Sequence, residues 1–173
     1  MALETAVIQN KLTTKFGDAV TGFTQIKDIF SFEVAPEHMN EVMRYLKEDA
    51  ELRFNFLTDL CGVHYPDAEK DRQFAMVYHM HNWVDNVRIR FKSFLNGDTP
   101  EIDTVTNLFL SANWQERETY DFFGIIFKGH PQLKRILNMD EMVSFPMRKE
   151  FPLEDGGRTD KDDRFFGRTT DNC

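Results

Sequence analysis

Glu116, Glu118, Asp121 and His130 fall close together in the run WQERETYDFFGIIFKGHPQLKRIL, residues 114–137. Carboxylates beside an imidazole are the groups from which general acid and base catalysis is built. A hydrolase would also need a nucleophile, and none accompanies them. The non-catalytic reading, which we adopt, is that Arg117 compensates buried carboxylates while the GHP turn fixes the segment that follows. Elsewhere, His79 and His81 share one strand face, a spacing found in some metal sites, but no Glu, Asp or Cys is identifiable nearby to complete a ligand set. Cys61 and His64 form a lone C-x-x-H without a second half, and Cys61 reads as a small buried hydrophobe. The sequence has no P-loop, no G-x-G-x-x-G and no cysteine set for an iron–sulfur cluster. It therefore carries no recognisable redox cofactor site.

The acidic run must be held by a helix. Over Trp114 to Phe123 the residues Trp114, Arg117, Glu118 and Asp121 fall at i, i+3, i+4 and i+7, with Glu116, Tyr120 and Phe123 on an adjacent stripe. Arg117 and Asp121 are spaced to pair. Gly124 is the helix stop, and the IIF that follows reads as a short buried strand. Upstream, Ile8, Leu12 and Phe16 recur at four-residue steps and end at Gly17, which predicts a first helix. Phe30, Phe32 and Val34 alternate with polar residues as in a half-buried strand. Pro36 opens a second helix whose apolar face is Met39, Val42, Met43 and Leu46. A strand is expected within Phe54 to Tyr65. Phe74, Met76, Tyr78 and Met80 mark another, and Val87, Ile89 and Phe91 the next, joined as a hairpin by NWVDN. The pattern predicts an α+β fold: a two-layer domain of order α-β-β-α-β-β-β, with helices on one face of a mixed sheet.

At 173 residues the chain is one domain's worth, able to bury roughly 70% of its unfolded surface. The formal charge of −8, from 29 acidic and 21 basic residues, disfavours a nucleic-acid partner. No apolar run approaches a membrane span, and MALETAVIQNKL lacks the order of a signal peptide, so a cytoplasmic chain with free thiols is expected. From about Asn138 the periodicity is lost. Between Ser144 and Arg168 six basic and six acidic residues balance, yet Phe145, Phe151, Leu153, Phe165 and Phe166 punctuate the segment. A folded domain over 1–138, followed by a partner-docking segment over 139–173, satisfies both facts. A segment that packs back on its own domain is the alternative.

The order Glu116-Arg117-Glu118, Asp121-Phe122-Phe123, His130, Lys134, Ile136-Leu137 resembles the signature of one family of respiratory complex I, the proton-pumping NADH:quinone oxidoreductase. That family is the thirty-kilodalton subunit, also called the C subunit. LTDLCGVHYPD (57–67), FAMVYHMHN with VRIRFK, and FPMRKEFPL (145–153) are similar to further blocks of the family, so the resemblance spans most of the chain from about Asp28. His64 stands where the family usually has an acidic residue, and the tail EDGGRTDKDDRFFGR also departs from the pattern. The resemblance implies a structural subunit of the peripheral arm, beside the forty-nine-kilodalton subunit near the quinone-reducing end, on the cytoplasmic face of a bacterial inner membrane. It implies no cofactor in this chain, with FMN, iron–sulfur clusters and quinone in other subunits. Trp114, Glu116, Arg117, Glu118, Asp121, Phe122, Phe123, Gly124, His130, Pro131, Lys134 and Arg135 are then signature and interface residues. Phe145, Arg148, Lys149, Phe151, Leu153, Phe165 and Phe166 would anchor the tail on a neighbour. A related subunit of a membrane-bound hydrogenase, or an autonomous hydrolase using Glu118, Asp121 and His130, are the alternatives.

Overall fold

Alternation and helical spacing in the first hundred residues produce two helices and five strands in the expected order. The computed structural model describes residues 3–151. Helix α1 (Thr5–Phe16) ends at Gly17, whose positive φ of 53° lets its amide return to the carbonyl of Thr13. Strands β1 (Val20–Ile26) and β2 (Ile29–Val34) form a hairpin. Pro36 opens a single 3₁₀ turn rather than the helix itself, and α2 (Met39–Glu48) follows with Met39, Val42, Met43 and Leu46 all fully buried. Strands β3 (Phe56–His64), β4 (Phe74–Asn82) and β5 (Val87–Leu95) complete a five-stranded sheet of order β1-β2-β5-β4-β3. The β2–β5 pairing is parallel and the others antiparallel, which makes the sheet mixed.

One face of this sheet is the core. Phe30 and Phe32 pair with Ile89 and Phe91, which pair in turn with Met80 and Tyr78. All six side chains are buried, and Phe32, Phe91 and Tyr78 stack at centroid separations of 5.2 and 5.4 Å. This is the face read from the alternation of apolar residues, and burial at roughly 25 cal/mol per Å² makes it the main stabilising surface.

A smaller unit sits at one edge. Strand β6 (Glu101–Asp103) pairs in parallel with β7 (Ile126–Lys128), and helix α3 (Ala112–Phe123) lies between them in sequence. Helix α3 packs on β3 at Gly62, where an added Cβ would lie 2.9 Å from both Thr119 and Phe123. The absent side chain at position 62 is what lets the helix approach. Among the described residues no helix is long and apolar enough to cross a membrane.

Candidate functional site: a buried polar clamp on helix α3

The sequence grouped Trp114, Arg117, Glu118 and Asp121 on one stripe, and the structure divides them. With Thr119 and Phe123 turned onto Gly62, the buried positions of α3 are Ala112, Glu116, Arg117, Thr119 and Asp121, while Trp114 and Glu118 face outward. The Arg117–Asp121 pair is not formed. Asp121 is already saturated: Oδ1 accepts from Arg135 at 2.7 Å and from the Asn138 side chain at 3.1 Å. Its Oδ2 accepts the successive backbone amides of Ile136, Leu137 and Asn138 at 3.1, 2.8 and 2.9 Å. Burial pushes the Asp121 carboxyl up, but the Asn138 amide, Arg135 and the other donors outweigh it and hold the group well below the usual carboxylate range.

Arg117 takes a different role from the one its spacing suggested. Its Nε and one terminal nitrogen donate to the carbonyls of Lys134 and Arg135, at 3.1 and 3.0 Å. It ties the chain beyond the GHP turn to the helix and neutralises no carboxylate. The residue that compensates Asp121 is Arg135, which also donates to the carbonyls of Asp121, Met142 and Ser144.

Glu116 and His130 form the second half of the cluster, 3.9 Å apart with both side chains fully buried. Glu116 accepts from the Thr104 hydroxyl at 2.5 Å and from the Val105 amide at 2.7 Å. Burial raises its pKa to about 7 despite those two bonds, which pull the other way. The imidazole is fixed in one tautomer. Its Nε2 lies 3.2 Å from the Asn113 carbonyl and so carries the proton, and its Nδ1 accepts the Gln132 amide at 3.0 Å. A second proton on Nδ1 would face that amide. Burial, with the nearby Arg117 charge, accordingly lowers the His130 pKa, although the Asn113 bond raises it.

A hydrolytic triad of Glu118, Asp121 and His130 is not assembled. Glu118 is exposed, Asp121 has no oxygen left for a substrate proton, and both nitrogens of His130 are engaged with backbone. Among the described residues no group of three or more potential metal ligands converges. His81 bonds Asn86 at 3.0 Å, and His79 lies 3.7 Å from Asp59. Cys61 is half-buried, and burial pushes its thiol pKa up.

The segment after residue 138 continues the clamp. Gly124 ends α3 in the left-handed region at φ 70°, and Phe145 covers it so closely that a Cβ there would meet the ring at 2.6 Å. The Arg135 and Arg148 guanidiniums sit 5.0 and 4.8 Å from the Phe145 ring. Arg148 donates to the Phe123 carbonyl at 2.7 Å, and the Met147 amide to the Phe122 carbonyl at 3.1 Å. The Lys149 amide reaches His64 Nδ1 at 3.0 Å. This gives the unexpected histidine at position 64 a role, because its ring stacks on Phe74 and accepts the returning backbone. Phe145, Arg148 and the Lys149 backbone therefore pack on the chain's own domain, with no break at 138. Phe151 is exposed, and Leu153, Phe165 and Phe166 lie outside the described residues. Pro131 and Lys134 are exposed at the turn, with only the Lys134 carbonyl drawn in. Thr104, Val105 and Asn138 are the members of the cluster that sequence reasoning missed. The first two sit upstream of α3, held near it by the turn from Val105 to Ala112 and by the β6–β7 pairing.

Comparison with known proteins gives the family of this chain. The profile of the family described as respiratory-chain NADH dehydrogenase, 30 Kd subunit, matches residues 32–156. The chain is 40% identical over 168 residues to the NADH-quinone oxidoreductase C subunit of Roseiflexus sp., covering 96% of this chain and 95% of that one. It is 41% identical over 154 residues to the second such C subunit of Rhizobium etli, covering 88% and 80%. A solved trypsin-resistant fragment of Nqo5 superposes with a TM-score of 0.61 at 30% identity, over 74% of this chain and 98% of the fragment. The chain that folds α3 and its returning segment into this clamp belongs to the 30 Kd subunit family of the respiratory-chain NADH dehydrogenase.

Proposed function

We propose that this chain is a cofactor-free structural subunit in the peripheral arm of a proton-translocating NADH:quinone oxidoreductase, seated beside the forty-nine-kilodalton subunit and supporting the quinone-reducing module on the cytoplasmic face of the membrane. FMN, iron–sulfur clusters and quinone belong to other subunits in this reading. Family membership supports the assembly, and the engaged state of every oxygen and nitrogen that could have done acid–base chemistry in the clamp supports a structural role.

The observation that carries the docking is a series of large apolar side chains left exposed along one stretch after the clamp. Leu137 is 63% exposed, Met139 73%, Val143 94% and Met147 47%, with Phe151 beyond them. The Asp121 and Arg135 bonds hold the backbone of this stretch in place, so the exposed side chains belong to an ordered surface. Ordered apolar surface of this kind marks a protein interface.

Affinity purification of the tagged full chain from native membranes, followed by mass spectrometry, tests the reading. NADH:quinone oxidoreductase subunits should co-purify, the forty-nine-kilodalton subunit foremost, and Met139→Glu with Val143→Glu should release them. The chain purified alone should hold neither flavin nor iron and turn over no NADH. Recovery from membranes as a lone chain, or roughly stoichiometric flavin or iron in the isolated chain, would overturn it.

A further inference from the structure

The face of the sheet opposite the helices carries a polar row. The strand registers set Asp59 beside His79, His79 beside Arg90, and Arg90 beside Ser31. Ser31 Oγ, His79 Nδ1 and Arg90 Nε are each buried without a hydrogen-bond partner among the described residues. Asp59 lies 3.7 Å from His79 Nδ1, beyond hydrogen-bond reach. Atoms closed off from both water and partners carry an uncompensated desolvation cost, and three of them share one row.

Strand β5 adds charge to the same face. Arg88, Arg90 and Lys92 alternate there with the core residues Ile89 and Phe91, and none forms an ion pair or side-chain hydrogen bond among the described residues. The nearby Glu33 is already taken by Arg72 at 3.1 Å. Three uncompensated cations in line are unexpected on a chain of net charge −8. At one end of this face Phe56 meets Trp83 edge-on at 5.3 Å, and both rings are exposed.

We propose that this sheet face is an interface for an acidic segment of a neighbouring subunit, whose carboxylates pair with Arg88, Arg90 and Lys92 and whose apolar side chains cover Phe56 and Trp83. His79 and Arg90 are only half-buried as residues, so a docked segment that draws these two side chains outward would supply the partners their buried nitrogens lack. A protein segment fits better than an anionic membrane surface, because the field of the whole chain opposes a large polyanion, while a short acidic stretch can follow the line of Arg88, Arg90 and Lys92 and stay clear of Asp59 at the far edge of the row. The inference rests on membership of an assembly and is independent of whether the 137–151 stretch meets the forty-nine-kilodalton subunit.

The test uses the full chain in native membranes. Arg88→Glu with Lys92→Glu should lower recovery of the assembled complex by at least about tenfold, while the denaturation midpoint of the purified chain stays unchanged. Should that double variant fail to fold, Arg88→Gln with Lys92→Gln removes the charge alone and is read in the same way. Arg44→Glu, on the exposed side of α2, serves as a charge-reversal control away from this face and should assemble normally. Zero-length carbodiimide cross-linking of the intact complex should join Lys92 to an Asp or Glu of another subunit. Assembly retained within about twofold would overturn the proposal. So would a Lys92 cross-link found only to residues 152–173 of its own chain, which would assign the face to the tail. Retained co-purification in the Met139/Val143 variant, with normal Lys92 cross-links, would instead sink the 137–151 docking surface alone.

Discussion

At the scale of single residues, Asp121 and Glu116 lie on the same helix and respond to pH in opposite directions. The folded pKa of Asp121 is depressed, so its contribution is present above the unfolded value of about 4 and is lost as pH falls below it. Asp121→Asn leaves Arg135 buried without its counter-charge and should cost about 3 kcal/mol at neutral pH. Urea denaturation of the two proteins should show that difference shrinking as the pH is lowered below about 4. Glu116 has the reverse sign. Its folded pKa of about 7 lies above the unfolded value, so its contribution is complete below about pH 4 and is lost as pH rises through 7. Glu116→Gln, which keeps the acceptor oxygen but cannot ionise, should flatten a stability slope on the order of 3 kcal/mol across that window. An unchanged slope would mean the carboxyl is not the titrating group. The spacing of residues 114–123 revealed that a polar network was present, while Arg135 entered only as a signature position implied by the family resemblance. It could not assign partners. Arg117 is placed correctly by periodicity to reach Asp121, but three consecutive amides and Arg135 fill that carboxylate from a segment more than a dozen residues downstream. Glu116 likewise finds its hydroxyl and amide in Thr104 and Val105, partners that the turn before α3 and the pairing of β6 with β7 bring near.

At the scale of elements, the amphipathic pieces were legible because each has a single partner surface. The four apolar residues of α2 and the alternating residues of β2, β4 and β5 all enter the one core predicted from their spacing. Helix α3 was legible as a helix but not in its orientation, because its inward face is set by a glycine on another element rather than by an apolar stripe of its own. Gly62→Ala should therefore displace α3 and cost roughly 1–3 kcal/mol, and near-ultraviolet circular dichroism should report altered packing of the aromatics around it. A substitution without effect on either reading would show that α3 can move away freely. Composition beyond residue 138 suggested a segment waiting for a partner, and at Phe145 through Lys149 the chain returns to its own domain instead. The anchors for this return, the Phe122 and Phe123 carbonyls and the ring of His64, lie in distant parts of the sequence. Hydrogen exchange on the isolated chain should show the amides of Leu137, Asn138, Met147 and Lys149 protected, and Asp121→Asn should release the first two. Unprotected exchange at Met147 and Lys149 in the unmodified chain would mean the segment is ordered only by a partner.

At the scale of the whole molecule, the clamp, the exposed apolar stretch after it and the basic sheet face divide one small domain into a core and two outward surfaces. The chain buries its core on one side of the sheet, and the proposed docking assigns an acidic segment to the other. In the proposed structural reading the buried acid–base cluster serves the fold, its groups being engaged by backbone and by Thr104, Arg135 and Asn138. That claim separates cleanly from a catalytic one, because a structural lesion removes complexes while a catalytic lesion slows those that form. The deciding measurement is the amount of assembled complex in membranes carrying Asp121→Asn or Glu116→Gln, taken together with NADH:quinone turnover per assembled complex. Reduced assembly with unchanged turnover in each complex that remains is the expected result. Full assembly with turnover per complex lowered by about tenfold or more would contradict it and place these carboxylates in the reaction itself.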